Sequence, residues 1–157
     1  MTQEQKELLL KDLCARLPYC IKFPITVKNP ITSEPIETTG TISDINRYGI
    51  VSFVWDYEDQ EILLKHALHI KDVKPYLFPL SSMNEEQKYD FYCRFIENDC
   101  NFDDFKEFYL DNGVWHKLFT SFDDIEAIID WFHKNHFDYR CLIPMGLAND
   151  ATGLNIY

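Results

Sequence analysis

The first stretch of the chain carries a helical pattern of apolar residues. Apolar side chains recur every three to four positions, at Leu9, Leu10, Leu13, Cys14 and Leu17. This is the spacing of one helix face, and the intervening polar residues, Asp12 included, fall largely on the other face. Thr2 and Gln5 have the spacing of a capping box, and Pro18 cannot continue a helix. The pattern predicts an amphipathic helix over residues 3–16.

A period-two alternation follows and predicts β-structure. Apolar and polar residues alternate from Tyr19 to Lys28, as in a strand with one buried face, and Pro24 on the polar phase indicates an edge or a bulge. The pattern also predicts strands over residues 36–45, 50–55 and 61–64, with a bulge or bend at Gly40. A hairpin turn is predicted at Asn46–Gly49 and an acidic loop at 56–60. Short strands joined by tight turns predict a small antiparallel barrel or a curled sheet, and an SH3-like barrel is the form we expect.

Two prolines mark a boundary in the pattern. Pro75 and Pro79 favour extended backbone in the residues before them and cannot donate to a central sheet. The segment is too apolar for a free linker, so we expect a strap that buries Tyr76, Leu77, Phe78 and Leu80. The predicted organisation is an N-terminal helix and small barrel over residues 1–79, followed by an acidic helical subdomain over residues 80–157. The predicted fold class is therefore α+β.

Beyond the strap the pattern is helical. Asn84 and Gln87 form a capping-box pair that predicts a helix over residues 84–98. The most regular apolar stripe is Ile125, Ile128, Ile129 and Phe132. It predicts a helix over residues 122–135, capped by Ser121 and Asp124. The remaining predicted elements are a short helix near 102–109, a strand or helical turn at 114–119, and a helical turn at 139–145 followed by loop.

Composition limits the class of protein. The 157 residues, with 46% apolar and 15% aromatic side chains, can fill one domain or two small domains that share a core. No apolar run approaches the roughly 20 residues of a membrane helix. The N-terminal stretch contains acids and no small-residue cleavage site, so a cytoplasmic protein without membrane contact is predicted. Five cysteines without a CxxC motif predict reduced, buried thiols.

Charge is unevenly placed along the chain. The net charge is −11, and residues 81–157 carry 6 Lys/Arg against 15 Asp/Glu. A surface that must neutralise phosphates shows the opposite balance, so direct nucleic-acid binding by the helical half is not expected. Residues 1–80 are nearly balanced, with 9 Lys/Arg against 11 Asp/Glu.

Metal-binding and catalytic patterns are incomplete. His66/His69 and His133/His136 have a spacing that suits zinc on a helix face, but the spacing supplies no third ligand. Residues 99–110 begin like a calcium loop and lack its sixth-position glycine and twelfth-position glutamate. The acid clusters near 56–61 and 123–130 have the positions of solvated or capping carboxylates. No nucleophile-elbow, phosphate-loop, dinucleotide or zinc-protease motif occurs. The sequence therefore predicts no catalytic residue, no metal and no cofactor.

Aromatic residues of the strand half are the candidate binding residues. Tyr48, Trp55 and Tyr57 are the three we select, since small barrels hold peptides or stack bases on exposed aromatic rings. The alternative is core packing, because Trp55 and Tyr57 share a strand face with Val51 and Phe53.

Three blocks carry a family resemblance: MTQEQKELLLKDLCARLPY at residues 1–19, VKPYLFPLSSMNEEQK at 73–88 and DWFHKNHFDYRCLIPMGLA at 130–148. They resemble a group of uncharacterised proteins from Bacteroidales genomes and their prophages. The resemblance implies a small cytoplasmic protein with a link to prophages. It implies no activity and no site residue.

Three functional hypotheses follow from these patterns. The first is a non-enzymatic protein-interaction module, because no catalytic constellation is complete. The second is a nucleic-acid-associated module that uses the barrel, or an acidic mimic of nucleic acid. The third is an enzyme whose site has no recognisable motif, for which a deep pocket with a histidine beside a cysteine or carboxylate would be the mark.

Overall fold

The computed structural model describes residues 1–29, 32–57, 60–95 and 125–157. It shows an α+β chain in which an N-terminal helix packs on a four-stranded antiparallel sheet curled into a half-barrel. No helix in these ranges is long and apolar enough to cross a membrane.

Helix α1 spans Gln3–Arg16, as the apolar spacing predicts. The capping box is present: the Gln5 amide donates to Thr2 Oγ1 at 3.2 Å, and the Thr2 amide donates to Gln5 Oε1 at 2.9 Å. Leu9 and Leu13 are fully buried against the sheet. The helix is therefore fixed by its local cap and by one apolar face.

The sheet has the order β1-β2-β3-β4. Its strands are β1 Lys22–Lys28, β2 Pro35–Ile45, β3 Ile50–Tyr57 and β4 Gln60–His69. Strand β1 is an edge strand with Pro24 on its exposed face, which confirms that prediction. The apolar faces form the sheet core, which includes Phe23, Ile25, Val51, Phe53 and Trp55.

Three details of the sheet differ from the prediction. Strand β1 begins at Lys22 rather than Tyr19, because Leu17–Tyr19 form a 3-10 turn and Cys20 has a φ of 55°. Strand β4 runs ten residues to His69, well past Leu64. Strand β3 continues to Tyr57 and β4 begins at Gln60, so both strands extend into the predicted acidic loop.

Gly40 is not a bulge. It pairs regularly with Phe23 and Trp55, and the register shift lies between Ile42 and Asp44. A Cβ at residue 40 would lie 3.0 Å from Ile25 Cδ1 and 3.1 Å from Phe53 Cδ2, so glycine leaves room for the core.

The strap connects two apolar clusters. Leu77 is buried in the sheet core, while Phe78 and Leu80 are half-buried against a second cluster. Strand β5, Tyr76–Leu77, pairs in parallel with β6, Asn149–Asp150, so the strap is hydrogen-bonded to the C-terminal part of the chain.

The second cluster is the aromatic core, which lies between two helices. Helix α2 spans Glu85–Phe95 and begins with the predicted Asn84–Gln87 box. Helix α3 spans Ile125–Lys134. The aromatic core contains Met83, Phe91, Ile128, Trp131, Phe132 and Phe137. The elements predicted over 102–109 and 114–119, and the Ser121–Asp124 cap, lie outside the described residues.

The C-terminal stretch is part of the packed structure. Turns occupy much of 139–146, and the Asp138 carboxylate accepts from the amides of Leu142 and Ile143, both at 2.8 Å. Leu142, Leu147 and Ala148 belong to the sheet core. The expected loop is therefore partly a strand, β6, with apolar anchors on its N-terminal side.

For the residues that the structure describes, the cysteine prediction is right about three free thiols and wrong about their burial and about Cys93. Cys14, Cys20 and Cys141 are exposed free thiols, and Cys93 is disulfide-bonded. Cys20 and Cys141 follow tight turns and adopt left-handed φ angles of 55° and 59°.

Candidate interaction surface

The hairpin turn between β2 and β3 is held by one asparagine. Asn46 Oδ1 accepts from the amides of Tyr48, at 2.9 Å, and Ile50, at 3.1 Å. The Gly49 amide donates to the Asn46 carbonyl at 2.9 Å, and Gly49 has a left-handed φ of 74°, as glycine often does in hairpin turns. The backbone on both sides of Tyr48 is therefore fixed.

This turn carries an exposed aromatic ring. Tyr48 is 67% exposed, the highest value among the large apolar side chains described. The guanidinium of Arg47 lies 4.9 Å from the Tyr48 ring centroid, and its Nη2 donates to the Tyr48 hydroxyl at 2.8 Å. Stacking of this kind restricts two side chains that would otherwise be free in water. The turn presents a partly ordered Arg–Tyr pair to solvent.

A small cleft adjoins the turn. The Ile70 amide donates to the Gly49 carbonyl at 2.9 Å, so the 3-10 turn Ile70–Asp72 lies directly against the hairpin. Beside it is a cavity of about 170 Å³ lined by Met1, Thr2, Gln3, Lys6, His69, Ile70 and Lys71. We call Lys6, Arg47, Tyr48, His69 and Lys71 the tip surface. It contains three cations and no acid.

The cations of the tip surface have no ion-pair partner in the described part of the chain. The protein has four arginines, and Arg16, Arg94 and Arg140 each form an ion pair with an aspartate. Among the described carboxylates, none lies within ion-pair distance of Arg47, Lys6 or Lys71. The tip surface is therefore free to receive an anionic group from outside.

The three aromatic residues selected from the sequence do not form one site. Tyr48 lies at the tip, whereas Trp55 is 2% exposed and belongs to the sheet core. The side chain of Tyr57, at the end of β3, lies outside the described part of the chain. Of the three, Tyr48 alone has a described ring that a partner can reach.

No protein-family model, curated protein or solved structure matches this chain.

A buried ion-pair network was missed by the sequence pattern. Asp12 and Arg16 of α1 are both fully buried, with Arg16 Nε donating to Asp12 Oδ2 at 2.8 Å. Arg16 Nη2 also donates to the Phe137 carbonyl at 2.8 Å, and Arg140 Nε lies 3.2 Å from Asp12 Oδ1. The network joins α1 to the segment after α3. We predicted Asp12 on the polar face, and the chain after α3 covers that face.

A histidine and a tyrosine near this network, His136 and Tyr157, pack against each other. His136 stacks on Tyr157 with ring centroids 3.6 Å apart and planes 13° apart. Burial, and then the nearby Arg16 and Lys22 cations, lower the pKa of His136 to about 4. The Tyr157 hydroxyl accepts from the Lys22 amide at 3.1 Å and donates to the Tyr76 carbonyl at 2.8 Å. Burial raises the pKa of Tyr157 to about 12. These contacts join β1 to β5.

The histidine pairs are not assembled into metal sites. His66 and His69 lie on a strand, where a separation of three places side chains on opposite faces. His133 Nε2 is hydrogen-bonded to the Tyr139 hydroxyl at 2.8 Å, and His136 stacks on Tyr157. Within the described ranges no group of three or more His, Cys, Asp or Glu side chains could hold a metal ion.

A second, larger groove lies between α2 and α3. It has a volume of about 350 Å³ and is lined by Asp90, Arg94, Phe95, Ala127, Asp130, Trp131, Lys134 and Asn135. Its charged groups are mixed, and Asp90 accepts from both Arg94 Nε and Trp131 Nε1. Because these polar groups bond to one another, the groove offers fewer free donors than the tip surface.

Proposed function

We propose that this protein is a non-enzymatic protein-interaction module that contacts its partner through the tip surface. The observation that carries the proposal is the 67% exposure of Tyr48 on a turn fixed by Asn46. Tyrosine and arginine are enriched among the residues that dominate binding energy at protein interfaces. A fixed turn presents them at little entropic cost on binding.

The test is site-specific photocrosslinking in extract of cells that produce the protein. A benzophenone amino acid replaces Tyr48 in one variant and Leu154 in the control, since Leu154 is also exposed, at 47%. We expect a covalent product with one defined protein from position 48 and not from position 154. The captured protein is then purified and titrated against the wild type and Tyr48→Ala.

The titration decides the proposal. A buried interface tyrosine contributes about 2 kcal/mol or more, so Tyr48→Ala is expected to raise the Kd by about 30-fold. An unchanged Kd, or equal crosslinking from both positions, would contradict the assignment of the tip surface.

A nucleic-acid-associated module is the second candidate. The observation that favours it is the grouping of Lys6, Arg47 and Lys71 at one end of the sheet, since lysine and arginine neutralise phosphates. A gel shift of short oligonucleotides by the full chain at low salt tests it. The absence of a shift would remove this candidate. If the acidic half instead mimics nucleic acid, partner binding must weaken steeply with salt.

Enzymatic activity has less support. Its expected mark is a pocket histidine beside a cysteine or carboxylate. Of the two cavities described above, the smaller contains His69 without a cysteine or carboxylate, and the larger contains no histidine.

The detailed form of the barrel, the family and the cellular location of the protein are also part of this proposal. An SH3-like form of the barrel is supported by the hairpin connections, and an acidic helical subdomain after residue 79 by the charge of residues 81–157. A prophage-linked family and a cytoplasmic location are supported by the sequence resemblance. None of these is needed for the role of the tip surface.

A further inference from the structure

The charge of the tip surface is opposite to that of the chain. The protein has a net charge of −11, yet the five residues of the tip surface carry three cations and no acid. Exposed acids adjoin these cations along the chain: Asp72 follows Lys71, and Glu7, which accepts from Gln3 Nε2 at 2.7 Å, follows Lys6. None of the described acids lies within ion-pair distance of the three cations, so the cations remain available to an approaching anion.

The arginine of this surface is prepared for a carboxylate. Stacking on Tyr48 fixes the plane of the Arg47 guanidinium, and one nitrogen is committed to the tyrosine hydroxyl at 2.8 Å. The other guanidinium N–H groups stay available, and a planar guanidinium pairs with carboxylates in a two-pronged geometry. Arg16 and Arg94 also bind aspartates elsewhere in the chain, each through an Nε–Oδ contact.

The tip surface also provides an apolar contact, and its cleft is small. The Tyr48 ring is exposed, and the cleft of about 170 Å³ beside Ile70 suits one side chain rather than a polymer groove. A nucleic acid would meet three cations here and a strongly acidic remainder of the chain. A short acidic peptide can place its carboxylates on Arg47, Lys6 and Lys71 and an apolar side chain against Tyr48.

We propose that the tip surface binds an extended, acidic segment of a partner protein, with carboxylates paired to Arg47 and the two lysines and an apolar side chain packed on Tyr48. The inference rests on the proposed function and names the chemistry of the partner. Specificity arises because a basic or neutral segment would leave these cations unpaired.

Peptide selection tests this inference even while the partner protein is unidentified. A phage-displayed library of random twelve-residue peptides is selected on the full-length protein, on Arg47→Glu and on Lys28→Glu. The Lys28→Glu control makes the same charge change at an exposed residue of β1, away from the tip. Circular dichroism and urea unfolding confirm that each variant is folded.

We expect peptides rich in Asp and Glu with one aromatic or aliphatic residue. Their Kd should rise about tenfold or more in Arg47→Glu and change less than about twofold in Lys28→Glu, as the loss of a direct charge pair predicts. The Kd should also rise about tenfold between 50 and 300 mM NaCl, because exposed charge pairs are screened.

The outcomes separate this inference from the proposed function. Selected peptides without an excess of acids, whose binding is lost in Tyr48→Ala, would overturn the acidic partner and keep the tip surface as the contact. Oligonucleotide binding that Arg47→Glu abolishes, without any selected acidic peptide, would overturn it in favour of nucleic acid. Peptides that bind Tyr48→Ala unchanged, or no selected peptide at all, would overturn both proposals.

Discussion

The ion-pair network and the tip surface each contain an arginine, but in opposite surroundings. In the network, Arg16 is fully buried and bonds to Asp12 and to a backbone carbonyl. At the tip, Arg47 is exposed and bonds to the tyrosine beside it. Arg16 donates hydrogen bonds to groups that folding has removed from water. The partner of Arg47 is the exposed Tyr48 hydroxyl. The comparison shows that two arginines of one chain can differ in whether their partners are buried groups of the fold or an exposed neighbour.

The largest expected effect is the loss of the buried guanidinium. Arg16→Ala leaves the Asp12 carboxylate buried with Arg140 as its remaining cation and removes the donor to Phe137. Removing one partner of a buried pair costs about 3–5 kcal/mol, so we expect a loss of this size in urea unfolding. The control is Arg94→Ala, whose pair with Asp90 is exposed, and we expect about 0.5 kcal/mol. Equal losses in the two variants would show that burial of the network contributes nothing.

The second effect is a dependence of stability on pH. His136 has a pKa of about 4 in the folded protein, whereas the ordinary value for histidine is 6.5. Between these values the unfolded chain binds a proton that the folded chain does not, so stability falls as pH is lowered through this window. The pKa difference corresponds to on the order of 3 kcal/mol.

Replacement of His136 by asparagine separates its contribution to the pH dependence of stability from that of the other titratable groups. His136 has a left-handed φ of 57°, which asparagine tolerates, and asparagine does not titrate. The difference in unfolding free energy between pH 7 and pH 4.5 should be smaller in His136→Asn than in the wild type. Parallel pH profiles for the two proteins would contradict the burial of a neutral imidazole.

A smaller effect is expected at the tyrosine that joins β1 to β5. Tyr157→Phe keeps the stack on His136 and removes both hydrogen bonds of the hydroxyl. The expected cost is about 1 kcal/mol near pH 7, as for other intramolecular hydrogen bonds of a partly exposed residue. Because the folded pKa is about 12 and the ordinary value is 10.0, the wild type should lose stability between these pH values as the unfolded chain ionises. The Tyr157→Phe variant should not show this loss of stability. If the loss persists in the variant, the Tyr157 phenol is already in water in the folded protein.

The smallest effect on stability is expected at the tip. Tyr48→Ala removes an exposed ring outside both cores, so its unfolding free energy should stay within about 0.5 kcal/mol of the wild type. A loss above about 2 kcal/mol would mean that the ring supports the fold and would weaken the contrast with Arg16.

Local features were predictable from the sequence, whereas contacts between distant residues were not. The Thr2–Gln5 and Asn84–Gln87 boxes and the Asn46–Gly49 turn depend on neighbours within a few residues. The burial of Asp12 depends on a segment more than a hundred residues later. At the site, the sequence pointed to Tyr48, but the stack with Arg47 and the contact with Ile70 required coordinates.

The most direct test of the central claim is a map of the binding footprint on the intact protein. Amide chemical shifts of the isotope-labelled chain are recorded while a selected peptide, or the captured partner, is titrated in. We predict that the largest shifts fall on residues 46–50, Lys6 and 69–71 and that the network around Arg16 changes little. Largest shifts on the groove between α2 and α3, with residues 46–50 unchanged, would contradict the account.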